Sequence, residues 1–497
     1  MKPHTPVQDY IVATTDRRSE LRGARWEGLR RGGAATPGLA PEMERTRLHP
    51  RFENGVVFGT CDAIAYDLPE TVVGGAMPAA ERPASDKLAW LLRHTVWPLR
   101  WEPLNGSGQH RAVPSPGALY PVDLLLLART RDGARVLHCS PRDMALVETR
   151  ALSDEALPAS ADALSMVAVG NVGRCVGGYG DLALCLVTLE AGMLQTQLRL
   201  VAGALGWGLR IDAGHDHDAL RATLGLAHWS EVPMLCFRLT GEGAASATSE
   251  LASRRLTTIR PHPHHDAADR HPLMREVVRL AGPSGNDAAR CAVDAAASAD
   301  PATPACDDAF PLFDASWRRS SGLGQGIVRW TADFTAELLQ NVLADTRRLA
   351  RDAAWPTADR PPLAVTLVWR PTEHGPVGLY ALDADLGRTT PVPASAARLR
   401  FARDVCRDNS GLVATIAVDA RRIDDRAGAR ALLDAYLAAG ALAQCLGLAA
   451  ARHGLVARAF MAYPDDAKNP LVPLEQRTLV QILFGYDPRP NPAFPMA

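Results

Sequence analysis

Residues 189–206 read LEAGMLQTQLRLVAGALG and residues 437–454 read LAAGALAQCLGLAAARHG, and the two stretches align without a gap at a spacing of 248 residues. The alignment places Gly192 on Gly440. Both stretches have the apolar spacing of a long helix with small residues on one face, so two such helices can approach closely across a pseudo-twofold axis. Because Ala- and Leu-rich helices also match by chance, the flanking elements decide whether the chain contains a duplication.

The flanking elements are predicted in the same order in both halves of the chain. The first half predicts a helix, two strands, a long helix and a strand at 85–97, 122–129, 134–140, 181–205 and 232–239. The second half predicts the same series at 331–352, 362–370, 377–383, 426–453 and 478–486. Duplication therefore explains the pattern better than chance. The predicted divisions are an irregular leader over 1–80, a domain over 81–241, a linker with disordered stretches over 242–309 and a second domain over 310–490.

Composition and charge restrict the partners. The 497 residues include 54 basic and 55 acidic ones, a formal net charge of −1, so we expect no binding of nucleic acid or membrane lipid. Nine cysteines lie scattered without CxxC spacing, and no stretch approaches 18 consecutive apolar residues, which favours a cytoplasmic protein. His262, His264, His265 and His271 lie in the Pro- and Asp-rich linker. We expect these side chains to be exposed and to bind no metal.

The segment with the clearest chemical meaning is 111–121, RAVPSPGALYP, which leads into a predicted strand. Two prolines restrict the backbone on either side of Ser115, and Gly117 can approach a ligand through its bare backbone. A rigid polar loop of this kind is suited to holding a planar cofactor. An ordinary tight connection between two elements is the alternative interpretation.

This segment resembles a known motif. PSPGALYP is similar to the PSxGAxYP signature of azoline dehydrogenases of the SagB/McbC type, which belong to the FMN-dependent nitroreductase-like superfamily. The resemblance continues at residues 178–181 (GYGD) and in the LEAG helix that follows. It extends more weakly to the second half through Arg318, Arg319 and Ser320, which look like the Arg-Arg-Ser motif of that superfamily. A second triplet at 17–19 lies far upstream in the leader and is the weaker candidate.

The resemblance implies an α+β fold of two tandem nitroreductase-like domains that form an intrachain pseudo-dimer, each with a mixed or antiparallel sheet and a long central helix. It implies FMN at the interface, with Arg318 or Arg319 on the phosphate and with Ser320 and Ser115 on the ring or ribityl hydroxyls. The other implied cofactor-binding residues are Pro114, Gly117 and Gly454. The first half has the loop but no Arg-Arg-Ser at the expected place ahead of it, and the second half has Arg-Arg-Ser but no PSxG loop before strand 362–370, so one site per chain is expected. A solvated charge pair is the alternative for the arginines.

The resemblance also implies the chemistry. The family handles protons with a Lys-Tyr pair, and here the tyrosine is Tyr179 while Gly178 occupies the lysine position. A phenol is a weak base at neutral pH unless a cation is near, and Arg174 is the candidate cation. Tyr120 is an alternative proton donor. A half-buried tyrosine that caps the helix start is the structural alternative for Tyr179.

The implied activity is oxidation of azolines to thiazoles or oxazoles on a precursor peptide or a carrier-bound peptide, with a cyclodehydratase as a candidate partner. The alternatives are another flavin reaction, such as nitro or enone reduction or peptide desaturation, and a catalytically silent peptide-binding scaffold, which the loss of the lysine at Gly178 allows. The sequence leaves further oligomerisation of the chain open.

Overall fold

The computed structural model describes most of the chain. The described residues are 5–11, 13–14, 60–69, 82–102, 109–153, 164–212, 217–249, 251–259, 265–281, 310–321, 334–353, 363–372, 375–409, 411–423, 428–461, 471–473, 475–486 and 494–495. The triplet at 17–19 and two of the linker histidines, His262 and His264, lie outside these ranges.

The described strands and helices follow the predicted order in both halves. The strands are β1 (Thr60–Tyr66), β2 (Arg100–Trp101), β3 (Gln109–His110), β4 (Val122–Thr130), β5 (Gly133–Ser140), β6 (Ala145–Ala151), β7 (Leu164–Asn171), β8 (Gly208–Asp212), β9 (Glu231–Thr240), β10 (Ser253–Ile259), β11 (Leu363–Trp369), β12 (Gly378–Leu382), β13 (Thr389–Pro391), β14 (Leu412–Asp419), β15 (Val456–Phe460), β16 (Gln476–Gly485) and β17 (Phe494–Pro495). The α-helices are α1 (Ala84–Arg93), α2 (Gly173–Tyr179), α3 (Ala183–Ala204), α4 (His217–Leu224), α5 (His265–Ala268), α6 (Pro272–Ala281), α7 (Leu312–Arg318), α8 (Ala336–Asp352), α9 (Ala396–Asn409) and α10 (Gly428–Arg452).

Each half builds its own large sheet, and the short strands β17, β2 and β3 form a third sheet. The first sheet has the strand order β10-β1-β6-β5-β4-β7-β9-β8 and the second has the order β13-β12-β11-β14-β16-β15. Neighbouring strands pair antiparallel in both sheets. The predicted α+β class with an antiparallel sheet and a long central helix in each half is therefore confirmed.

The duplication extends to the register of the strands. The five strands β5-β4-β7-β9-β8 correspond in order to β12-β11-β14-β16-β15. The pairing of β7 with β9 shifts between Ala168 and Val169, and that of β14 with β16 shifts between Ile416 and Ala417. These two irregularities are again 248 residues apart. The register shift thus recurs at the same position in both sheets, as a duplication predicts.

Segments expected to be irregular contribute to the first half. Strand β1 comes from the leader and β10 from the linker, and the two pair along their whole length at the edge of the first sheet. The prediction of an irregular leader and linker is therefore wrong for these two strands. Their Ala, Thr and Arg content gave a weak apolar signal, because an edge strand is half exposed and its partner lies almost 200 residues away.

The leader and the linker also meet at the start of α3. The ring of Tyr10 is fully buried and its hydroxyl donates to the Asp181 carbonyl at 2.7 Å. His271 Nδ1 lies 2.9 Å from the Asp181 carboxylate, and the His265 ring stacks on His228 at 3.9 Å. The expectation that His265 and His271 are exposed is wrong, because tertiary contacts half-bury both rings.

The two central helices, α3 and α10, cross at a close backbone contact that contains one glycine from each helix. A Cβ atom on Gly192 would lie 2.0 Å from the Leu437 carbonyl oxygen, and one on Gly440 would lie 2.0 Å from the Leu189 carbonyl oxygen. The contact is reciprocal, as a pseudo-twofold axis requires. Glycine permits this backbone contact because it has no side chain.

The central helices form the core. The spans Gly173–Ala204 and Gly428–Arg452 are long and apolar enough to cross a membrane by length and composition, but 78% and 83% of their most apolar windows are buried inside the protein. Their burial is that of core helices, which pass the same test of composition.

Substituting Gly440 with Ala is expected to lower the free energy of unfolding by about 3 kcal/mol, because the methyl group overlaps the Leu189 carbonyl. Gly447→Ala in the same helix is the matched control, since its Cβ would meet its nearest neighbour at 3.9 Å. The control should be neutral or gain up to about 1 kcal/mol from helix propensity. Denaturant unfolding measures both, and equal stability of the two variants would contradict the crossing.

Candidate functional site

The loop that connects β3 with β4 has an unusual backbone. Ser115 is extended, whereas Gly117, Ala118 and Tyr120 have φ values of 57°, 56° and 47°. Positive φ suits the glycine but is strained at the other two residues, at a cost of about 1–3 kcal/mol each. The Tyr120 backbone N–H donates to Ser115 Oγ at 2.7 Å and closes the loop. Contacts elsewhere must therefore hold this conformation.

Arg319 of the second half reaches this part of the first half. Its side chain is 3% exposed, and Nη2 donates to the Arg111 carbonyl at 2.9 Å and to His110 Nε2 at 3.1 Å. Gln444 of α10 adds a second connection, because its Nε2 donates to the Ala112 carbonyl at 3.2 Å. The structure thus brings the second-half Arg-Ser motif to the first-half loop, across the boundary between the halves.

The two adjacent arginines have different environments. Arg318 is more than half exposed and forms an ion pair with Asp314 at 2.9 Å. Arg318 is the last residue of α7 and Arg319 caps that helix, so their side chains leave the backbone in different directions. Of the two phosphate-binding candidates, the structure therefore places Arg319 at the interface and Arg318 at the surface. The Ser320 carbonyl accepts from the Ala457 N–H at 2.9 Å, which fixes the motif on β15.

His110 is held in one neutral tautomer. Because Arg319 can only donate, His110 Nε2 accepts, and the ring proton lies on Nδ1, which is 3.4 Å from the Glu102 carboxylate. Burial and the positive charges of Arg319 and Arg100 hold the pKa of His110 well below its usual range. His110 therefore contributes no positive charge to the site.

The site has more cationic donors than acceptors. Arg100 binds Glu102 at 2.6 Å, so these two charges balance. Burial lowers the pKa of Arg319 to about 10, which leaves it charged at neutral pH. Among the described residues, Arg319 Nε and Nη1, Arg100 Nη1 and Arg111 Nε are buried without a hydrogen-bond partner. Buried cationic donors in excess of their acceptors are suited to an anion.

Glu190 is a site residue that the sequence reasoning missed. It lies in the middle of α3 and accepts hydrogen bonds from the Ser115 hydroxyl and the Val122 backbone N–H. Burial raises the pKa of Glu190 to about 8, although these hydrogen bonds and the nearby Arg111 act in the opposite direction. The available signal was that Glu190 is the sole acidic residue of this apolar helix. A carboxyl group in such a helix needs a buried partner.

Tyr179 lies against the loop, at the end of α2. Its hydroxyl is 3.1 Å from the position that a Cβ on Gly117 would take. Arg174, the cation expected beside it, binds the Asp123 carboxylate through two hydrogen bonds of 2.9 and 2.6 Å and donates to the Tyr120 carbonyl. Asp123 therefore neutralises the charge of Arg174.

Tyr120, the alternative proton donor, supports Arg111. The Arg111 guanidinium lies 3.8 Å from the centre of the Tyr120 ring, and the Tyr120 hydroxyl donates to the Gln109 carbonyl at 3.3 Å. Burial raises the pKa of Tyr120. The ring and the hydroxyl of Tyr120 therefore both have partners within the first half.

The remaining candidates occupy the loop and a helix end. Pro114 is half-buried beside Ser115, whose hydroxyl is engaged inside the protein. Gly454 follows α10 with a φ of 72°, and nothing lies within 4 Å of its Cβ position. Gly206 follows α3 with a φ of 76°, so each glycine ends its central helix in the left-handed conformation. The second-half counterpart of the loop, 354–362, lies outside the described residues.

Known structures show a shared fold. A candidate nitroreductase from Anabaena variabilis aligns with a TM-score of 0.61 and 15% identity, over 83% of this chain and 90% of that chain. A candidate nitroreductase from Ralstonia eutropha and the E. coli microcin synthetase McbBCD complex with truncated pro-MccB17 bound each align with a TM-score of 0.27 and 18% identity. They cover 35% and 39% of this chain and 88% and 71% of their own chains. No family model and no curated protein matches the chain.

The Anabaena alignment covers both halves, so it concerns the tandem arrangement as well as the single domain. The chain therefore has a nitroreductase-like fold in which two tandem domains form an intrachain pseudo-dimer. The likeness at 15% identity concerns the fold alone.

Substituting Asp123 with Asn is expected to lower the free energy of unfolding at pH 7 by about 3 kcal/mol, because Arg174 loses its counter-charge. Burial raises the pKa of Asp123, but Arg174 and His138 outweigh it and the pKa lies well below its usual range. The stabilisation is thus complete above about pH 4, the unfolded value, and declines as the pH falls further. Urea unfolding at pH 7 and pH 3 should show that the difference in free energy of unfolding between the wild type and Asp123→Asn is smaller at pH 3.

Asp314→Asn is the control, since it breaks the exposed pair with Arg318 and should cost under about 0.5 kcal/mol. If Asp123→Asn lowered the free energy of unfolding by the same amount at both pH values, the assigned ion pair between Asp123 and Arg174 would be contradicted.

Proposed function

We propose that the protein is an FMN-dependent oxidoreductase with one flavin site, built at the boundary of the two halves. The observation that carries the proposal is Arg319, a buried guanidinium with two unpartnered donor atoms facing a loop whose sequence resembles a flavin-binding motif. A buried cation without a carboxylate partner among the described residues is costly unless an anion binds it. The FMN phosphate is an anion of suitable charge.

The residues present fit the phosphate group. Arg319, Arg100 and Arg111 present unpartnered donors, and Glu102 neutralises Arg100. A guanidinium binds a phosphate through paired, charge-assisted hydrogen bonds. Arg319 would hold the phosphate, while the half-buried loop around Ser115 and Gly117 would line the side of the cofactor.

The chemistry proposed is dehydrogenation of an azoline on a peptide. When bound, FMN would supply a two-electron acceptor for the hydride that an azoline loses, together with one proton, as it becomes an azole. Tyr179 is the proposed group for that proton, since its hydroxyl lies at Gly117 of the same loop. The PSPGALYP motif supports an azoline, and a peptide substrate together with a cyclodehydratase partner and a cytoplasmic location belong to the same proposal.

A second reaction class is favoured by the pairing of Arg174 with Asp123. With its charge neutralised by Asp123, Arg174 does not favour the deprotonated phenol, and a phenol donates a proton more readily than it accepts one at neutral pH. Reduction of a nitro or enone group requires a proton donor. The second candidate is therefore a reductase of such groups, with Tyr179 as the donor.

Reconstitution with FMN is expected to give yellow protein with about one flavin per chain. Arg319→Ala should weaken FMN binding by about 10²-fold, since a charge-assisted pair contributes about 1.5–3 kcal/mol. Arg318→Ala is the matched control, because the neighbouring arginine is exposed and pairs with Asp314, and it should bind FMN as the wild type does. Fluorescence titration measures both. A colourless wild type, or two flavins per chain, would contradict the proposal.

Tyr179→Phe removes only the hydroxyl, so FMN binding should persist while the chemical step slows by about 10²–10⁴-fold. Anaerobic single-turnover reduction of the bound flavin by an azoline peptide measures the dehydrogenase. Oxidation of pre-reduced protein by an enone measures the reductase. Tyr380→Phe in β12 is the control for loss of a phenol elsewhere. Unchanged rates for Tyr179→Phe in both assays would remove Tyr179 from the chemistry.

A further inference from the structure

We propose that Glu190 is the positioning residue that fixes the cofactor-facing loop 114–122 in its strained shape. The term "cofactor-facing" rests on the proposed function, whereas the contacts of Glu190 do not depend on it. Its side chain comes from the middle of the central helix α3, most of whose residues are buried. A loop that is hydrogen-bonded to a buried helix is fixed in position relative to that helix.

Glu190 contacts the loop at both ends. Its carboxyl group accepts from the Ser115 hydroxyl near the start and from the Val122 N–H at the end. The Ser115 oxygen in turn accepts the Tyr120 N–H at 2.7 Å. Glu190, Ser115 and Tyr120 thus form a chain of hydrogen bonds, and Val122 is bound directly. The carboxyl group of Glu190 thus binds both ends of the loop to helix α3.

The loop needs these hydrogen bonds because its backbone is strained. Ala118 and Tyr120 both have positive φ, and residues of this kind persist only where the surroundings determine them. Tyr179 lies against Gly117 at the turn of the same loop. Relaxation of the loop would therefore displace the surface that the cofactor contacts and the hydroxyl assigned to proton transfer.

Glu190 holds the loop through its hydrogen bonds and not through its charge. The carboxyl group is 5% exposed and lies near Arg111, and one of its oxygens, Oε2, has no hydrogen-bond partner among the described residues. A glutamine side chain has the same shape and keeps one accepting oxygen, and its amide nitrogen can take the place of Oε2. Glu190→Gln should therefore preserve the loop, whereas Glu190→Ala should release it.

The test measures hydrogen exchange at the Tyr120 and Val122 amides in flavin-free protein. Glu190→Ala should speed exchange at both by about tenfold or more, the equivalent of one hydrogen bond to a buried carboxyl, and Glu190→Gln should stay close to the wild type. Thr188→Ala is the control, because its buried hydroxyl bonds the Leu184 carbonyl within the same helix. Wild-type exchange in Glu190→Ala, or equal loosening in Glu190→Gln, would overturn the proposal.

Ser115→Ala provides a test that does not require the Glu190→Ala variant to fold. It should free the Tyr120 amide, which bonds the Ser115 oxygen, while the Val122 amide stays protected by Glu190. If Ser115→Ala increased the exchange rates of both amides by the same factor, the proposed arrangement would be overturned.

FMN titration of the same variants separates this proposal from the proposed function. Binding should weaken about tenfold in Glu190→Ala and stay unchanged in Glu190→Gln and Thr188→Ala. A wild type that binds no FMN overturns the proposed function, and the exchange data on flavin-free protein then decide the role of Glu190 alone. A wild type that binds FMN with equal affinity in Glu190→Ala overturns the positioning role.

Discussion

The close approach of the two central helices at Gly192 and Gly440 is the constraint on which the rest of the structure depends. Backbone contacts this short fix both the separation and the crossing of the helices, and each helix carries its own sheet. The interface between the halves is therefore as well defined as a domain core. Arg319 reaches the Arg111 carbonyl at 2.9 Å across that interface, a hydrogen bond that would not survive a separation larger by an ångström.

The interface is charged although it is buried. The Arg100 and Glu102 charges balance each other, as do those of Arg174 and Asp123, and His110 is neutral. What remains are the positive charges of Arg319 and of Arg111, because burial raises the pKa of the neighbouring Glu190 to about 8. An uncompensated interior charge lowers stability, and local costs of this kind concentrate at binding sites. The strained loop adds a second cost at the same place. Both costs support the assignment of function to this interface rather than to the outer faces of the sheets.

Much of the fold was accessible from the sequence because it was encoded locally. The helix repeat and the order of strands and helices follow from apolar spacing and turn residues, whereas the mixed or antiparallel sheet was implied by the resemblance to a known family. The loop 111–121 was recognisable from its prolines and from Gly117, whose positive φ matches the need for glycine. Strands β1 and β10 were missed because their pairing is long-range and their faces are half exposed. No local pattern predicts which distant segment completes a sheet edge.

The sequence by itself determined that the chain is a tandem repeat, with the PSPGALYP loop in the first half and an Arg-Arg-Ser motif at the start of the second, since repeats and motifs are linear patterns. Only the tertiary structure decided which residues of those motifs meet. Arg318 and Arg319 are chemically identical, and burial separates them: one points into the interface and the other to the surface. Glu190 acquires its partners, and Arg174 loses its free charge, through contacts between segments far apart in the chain. Charge, burial and hydrogen bonding at a site depend on the surroundings in space, which residue order alone does not specify.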